Sequence, residues 1–231
     1  MKTVGVVGGI GPESTIEYYR FLIAEYRSRI ADGSYPSILI NSIDLTKMLG
    51  HIERGELGAV TDYLAGEVGK LARAGADFAV LASNTPHIVF DELQRRAALP
   101  LISIVEATCE AALALSLKRV GLFGTRFTMQ GGFYPAVLSR RGVAVVLPDP
   151  EDQGYIHEKY LGELVQGLIR PETRERLLRI AHRLREREQV EAIILGGTEL
   201  PLILRDAPGS TVPFLDTTTI HVKAIVAEML S

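Results

Sequence analysis

Two short stretches bring together groups that could handle a small carboxylate. In Phe78–His87, FAVLASNTPH, an apolar run breaks into Ser83, Asn84 and Thr85, with His87 close behind. In Ala192–Pro201, AIILGGTELP, a second run breaks into Gly197, Thr198 and Glu199. Hydroxyls, a side-chain amide and helix N-terminal amides are the donors a carboxylate needs. His87 and Glu199 are the neighbouring groups able to give or take a proton. Ser83, His87 and Glu199 are also the residue types of an activated-serine site, which would suit hydrolysis, cyclisation or decarboxylation. Further polar groups follow apolar runs at Ser14, at Thr125 and Thr128, and at Asp216–His221. Each threonine has a plainer reading as a helix N-cap, and His87 as a structural histidine at a helix start.

An apolar run ending in small polar residues is how a buried parallel strand reaches its carboxyl end, where open α/β sheets bind ligands. The chain repeats such runs. Val80–Ser83 matches Ile194–Gly197 at an offset of 114 residues, Lys2–Gly5 matches Lys118–Gly121 at 116, and Leu99–Leu101 matches Val212–Phe214 at 113. Three segments in one order at nearly one spacing imply an internal duplication. The expected fold class is α/β: two pseudo-symmetric Rossmann-like halves with mainly parallel sheets and the site in the cleft between them. The first half is read as residues 1–98 plus 215–231, the second as 99–214. Ser83 and Gly197 are then equivalent strand ends.

The first turn, Gly8-Gly9-Ile10-Gly11-Pro12, gives only a weak dinucleotide echo, with Asp44 at the end of the next strand as its acidic partner. A small anion at this helix N-terminus is favoured over a nucleotide. In the helix that follows, Ile16, Tyr19, Ile23, Tyr26 and Ile30 step by three and four and predict the buried face. His51–Glu56 reads as a loop or helix edge. Residues 155–168 and 171–188 read as helices, and seven arginines run from Arg170, just before the second, to Arg187 within it. Glu172–Arg176 and Glu175–Arg179 sit at i,i+4, which favours a solvated, ion-paired face over a phosphate site.

The net charge of −3 gives no field to recruit nucleic acid, and 47% apolar residues can build a real core. No apolar run approaches the ~20 residues of a membrane span. The opening MKTVGVVGG enters a strand rather than a signal peptide. The one cysteine, Cys109, reads as a buried hydrophobe; it forbids an internal disulfide and fits a cytoplasmic location. HExxH, CxxC and P-loop patterns are missing, so neither a metal nor a nucleotide cofactor is expected.

VGGIGPEST, SNTPH, GTRFTM, GGTE and DTTTIH, running from Val7 to His221, together resemble the cofactor-independent aspartate/glutamate racemase family. The resemblance implies two pseudo-symmetric domains, a homodimer, and a small amino acid or dicarboxylate as substrate. It implies substrate-binding roles for Ser14, Asn84, Thr85, Thr125, Thr128 and Thr198. It places the proton-transferring pair at Ser83 and Gly197, with Glu199 and His87 beside them. The family carries a catalytic cysteine at each of those two positions, in CNT and GCTE. A thiol with a pKa of about 8.5 can be tuned to hold and release a proton. A serine hydroxyl is a far weaker acid and glycine offers no proton. Two-thiol racemisation is therefore expected to be weak or absent, with Glu199 or His87 taking over. The alternatives are a different reaction on the same scaffold or a non-catalytic ligand-binding relative. Restoring both thiols, Ser83→Cys with Gly197→Cys, is expected to raise the racemisation rate.

Overall fold

In the computed structural model, residues 1–205, 210 and 212–231 are described. The chain divides into two units, Met1–Ile104 with His221–Ser231, and Val105–Ile220.

In the first unit, β1 (Val4–Gly8), α1 (Pro12–Arg29), β2 (Ile38–Ser42), α2 (Leu45–Glu53), α3 (Leu57–Arg73), β3 (Phe78–Leu81), α4 (Phe90–Arg96) and β4 (Leu101–Ile102) follow in order, with a 3-10 turn at Thr85–Val89. The strands form a four-stranded sheet, order β2-β1-β3-β4, in which every pairing is parallel. β1 and β3 are buried on both faces, as their unbroken apolar runs require.

The chain passes to the second unit at α5 (Ile104–Ala114). There follow β5 (Arg119–Gly124), α6 (Arg126–Gln130), α7 (Phe133–Ser139), β6 (Ala144–Val146), α8 (Pro150–Gly162), α9 (Pro171–Glu188), β7 (Ala192–Gly196), α10 (Leu200–Leu204), β8 (Phe214–Asp216) and α11 (Thr217–Met229). The second sheet has order β6-β5-β7-β8, again all parallel. The two sheets share one topology, strand for strand, and the repeat offsets fall on β1/β5, β3/β7 and β4/β8.

The unit bounds lie a few residues beyond the 98/99 and 214/215 positions read from the sequence. β4 pairs with β3, so it stays with the first unit; β8 pairs with β7, so it stays with the second. The end of α11 returns to the first unit, where Val222, Ile225, Val226 and Met229 pack with Val4, Val6, Tyr18, Leu22 and Val80.

Several local expectations are corrected. α1 buries Ser14, Tyr18, Leu22 and Tyr26, whereas Ile16 and Tyr19 are 47% and 48% exposed. The helix is apolar on more than one stripe, and packing against α11 selects the other one. Of the two readings of His51–Glu56 the helix edge holds, since His51 lies in the last turn of α2, whose start the Asp44 carboxylate caps by accepting from the backbone N–H groups of Thr46 (2.8 Å) and Lys47 (3.4 Å). Asp44 is therefore a cap. α8 starts at Pro150, five residues earlier than expected, with proline at the helix start, where its missing N–H costs nothing. On α9, Arg179 pairs with Glu175 (3.7 Å), but Arg176 reaches Glu151 of α8 (3.4 Å) and stacks over Tyr155, while Arg183 pairs with Asp152. The arginine face is neutralised by carboxylates, largely from its neighbour helix.

Candidate active site

At the carboxyl end of β3 the chain turns through Ser83 and Asn84 into the 3-10 turn that holds Thr85 and His87. All four side chains are buried. His87 stacks flat on Phe90, centroids 4.8 Å apart, and its Nε2 accepts a hydrogen bond from the Ile104 N–H at 3.3 Å. The proton of the neutral ring therefore sits on Nδ1, which is buried without a hydrogen-bond partner among the described residues. Burial, with the neighbouring His221, pulls the His87 pKa down to about 3. Among the described residues no hydrogen bond joins the Ser83 hydroxyl to this imidazole.

His221 is the second buried imidazole of this unit. Its Nδ1 meets the Tyr18 hydroxyl at 2.8 Å and its Nε2 the carbonyl of Ile102 at 3.1 Å. A carbonyl can only accept, so Nε2 carries the proton and Nδ1 accepts from Tyr18. Burial lowers its pKa to about 4. In the first turn Gly9 answers to both conformation and close packing. Gly9 has φ +77°, and a Cβ on it would stand 2.7 Å from the Ile43 nitrogen. Its N–H donates to Thr15 Oγ1 at 2.9 Å, and the Ser14 hydroxyl donates to the Gly11 carbonyl at 3.1 Å.

The second unit repeats the plan with different groups. Past β5, Thr125 caps α6, its Oγ1 accepting from the Thr128 N–H at 3.2 Å. Past β7 come Gly197, Thr198 and Glu199. Glu199 is 1% exposed, and its Oε2 accepts from the Thr198 hydroxyl at 3.0 Å and from the phenol of Tyr160 in the last turn of α8. Burial, with the Glu199 charge, drives the Tyr160 pKa well above the ordinary phenol value. Asp216 caps α11, accepting from the N–H groups of Thr218 (3.0 Å) and Thr219 (3.1 Å), and the Thr217 hydroxyl donates to the Leu195 carbonyl at 2.8 Å.

The structure thus gathers Ser83, Asn84, Thr85 and His87 at one strand end, with Ser14 in the first turn of α1. In the other unit it gathers Gly197, Thr198 and Glu199 at one strand end, with Thr125 and Thr128 past the neighbouring strand. Sequence reasoning missed Tyr18 and Tyr160, the partners of His221 and Glu199. The consecutive Gly196-Gly197 was the available signal for Tyr160, since glycine at a strand end marks a close approach. Among the described residues, no group of His, Cys, Asp and Glu is arranged to hold a metal, and no helix is long and apolar enough to cross a membrane.

Two like-ordered parallel sheets, each followed by buried hydroxyl and acid–base groups, define a doubled α/β protein. The sequence pattern of the Asp/Glu/Hydantoin racemase family matches residues 7–225, and the chain belongs to that family. A Yersinia pestis chain described as a candidate Asp/Glu racemase is similar over the full length of both chains, with 32% identity and a TM-score of 0.90. An aspartate racemase homologue from Pyrococcus horikoshii is similar over the full length of both, with 34% identity and a TM-score of 0.85. The broad specificity amino-acid racemase RacX of Bacillus subtilis is 26% identical over 99% of this chain and 98% of its own.

Proposed function

We propose that the chain is an amino-acid isomerase acting on a small amino acid or dicarboxylate without a cofactor, and that two-thiol racemisation is weak or absent in it. One observation carries this reading: the positions that the family resemblance assigns to catalytic thiols hold Ser83 and Gly197. The chain's one cysteine, Cys109, is buried in α5, and burial pushes its thiol pKa up. The substrate class draws support from the relatives' names, a broad specificity amino-acid racemase and an aspartate racemase homologue. The buried hydroxyls and amide at the strand ends suit its carboxylates.

Of the two candidate proton carriers, Glu199 is preferred over His87. The free lone pair of His87 is committed to the Ile104 N–H, and its ring resists protonation. With an acid–base group at only one strand end, exchange of the α-proton outruns inversion. The homodimer and the cytoplasmic location implied at the outset belong to the same reading; sedimentation at micromolar concentration tests the first.

Proton NMR of a panel of L- and D-amino acids in deuterium oxide tests the chemistry. The expected result is loss of the α-proton signal with slower appearance of the other enantiomer. Inversion as fast as exchange would overturn the one-sided reading. A panel that neither exchanges nor binds in titration calorimetry would overturn the whole.

A further inference from the structure

Gly197 is a glycine for an unusual reason. Its backbone lies outside the left-handed region, so conformation does not demand it. Space does: a Cβ built there would stand 3.0 Å from Tyr160 Cζ and 3.2 Å from Cδ2, and nearer still to Cε2. The three nearest atoms all belong to one tyrosine ring. Gly196 differs, because its Cβ would meet Leu122, the Phe123 carbonyl and Thr128. Tyr160 therefore fills the volume that a side chain at position 197 would take. It brings an ionisable group there, hydrogen-bonded to the Glu199 carboxylate.

We infer that Tyr160 stands in for the missing side chain at position 197 and, paired with Glu199, is the proton relay at the end of β7. The inference rests on the isomerase reading above. In the forward step the substrate Cα–H bond breaks and its proton passes to the phenol oxygen as the original phenolic proton passes to Glu199 Oε2. The bonding pair stays on the α-carbon, delocalised into the substrate carboxylate. Glu199 goes from anion to neutral acid, so the negative charge moves to the substrate and nothing else is consumed. The reverse step returns a proton to the α-carbon. The concerted form avoids a free phenolate, which burial beside Glu199 makes inaccessible near neutral pH. Thr198, donating to the same carboxylate oxygen, fixes its orientation.

The test uses α-proton exchange in deuterium oxide with the full chain, comparing wild type with Tyr160→Phe, Glu199→Gln and the double variant. Tyr160→Phe keeps the ring and removes only the hydroxyl. It is expected to lower exchange by about 10²–10⁴-fold, the usual worth of general acid–base assistance, while calorimetric binding of the amino acid persists. Glu199→Gln should lose about as much, and the double variant little more than either, because members of one relay fail together. Wild-type-like exchange in Tyr160→Phe would overturn the relay and leave the isomerase reading standing. Losses that multiply in the double variant would make the two residues independent and overturn it as well. Absence of exchange in the wild type would sink both.

Discussion

The ends of β3 and β7 occupy equivalent places in two copies of one sheet, yet they hold different chemistry. At β3 the position in question keeps a small side chain, Ser83, and His87, four residues on, is a neutral imidazole whose lone pair is spent on the Ile104 backbone. At β7 the position has no side chain, but the space is filled by a phenol bonded to a buried carboxylate. Duplication has preserved strand order and parallel pairing, which depend on apolar runs and turns. It has not preserved proton chemistry, which depends on a few side chains reaching in from neighbouring helices. In the first unit the buried imidazoles hydrogen-bond to the backbone of Ile104 and Ile102; in the second a buried phenol hydrogen-bonds to a buried carboxylate.

The contrast is broken most severely by acid. Unfolded, His87 and His221 would each protonate near pH 6.5; folded, they do so only near about 3 and about 4. Between those values the unfolded chain binds protons that the native chain does not. Stability is therefore unaffected well above pH 6.5 and falls as pH drops below it, by about 1.4 kcal/mol per unit for each ring. The two together should cost about 4 kcal/mol by pH 5. Urea unfolding over this range measures it. In a His87→Gln, His221→Gln variant, which keeps a donor and an acceptor at each site, the loss should be much smaller. An unchanged pH slope in that variant would show that the rings do not brace the first unit.

A smaller effect comes from adding a side chain at each strand end. Gly197→Cys must displace the Tyr160 ring, and such overpacking typically costs about 1–3 kcal/mol. Ser83→Cys swaps one small side chain for another and should stay within about 1 kcal/mol of wild type. The space at position 197 also revises the expectation for thiol restoration. The Ser83→Cys, Gly197→Cys pair should gain racemase activity only when Tyr160→Ala makes room for the second thiol. Thermal melts of the single variants, and racemisation by the triple variant, check both halves. Equal destabilisation at the two positions would show that the ring yields freely.

The sequence made the strands and their repeat legible, because a buried parallel strand is a short apolar run with a sharp polar end, and three such runs recurred. The same sharp ends exposed Ser83–Thr85 and Gly197–Glu199. Less legible was whatever depends on a distant partner. The buried face of α1 turns on Tyr18 meeting His221, 203 residues away, and local periodicity favoured the competing stripe through Ile16 and Tyr19. Asp44 left a ribose contact open as the disfavoured reading, because capping and ligand contact use the same carboxylate. Tyr160 lies in a polar helix with nothing to mark it. Its importance arises from a gap left 37 residues further on, which Gly197 announces only once the ring is seen to fill it.

The smallest expected effect is the sharpest check on the first strand end. If Ser83 were an activated nucleophile, its hydroxyl would need a base within reach, and His87 is the titratable side chain nearest to it in the sequence. That imidazole accepts from Ile104, carries its own proton on Nδ1, and holds a pKa of about 3. Taking the serine proton would require a lone pair that is already occupied, and would leave a buried cation. Ser83→Ala should therefore change α-proton exchange by less than about tenfold, well short of the 10²–10⁴-fold that losing a true base or nucleophile costs. Under the proposed function that hydroxyl serves only carboxylate binding, so the loss should fall on KM more than on kcat. A collapse of kcat in Ser83→Ala, with binding intact, would show that the β3 end does chemistry after all and that His87 rearranges when substrate arrives.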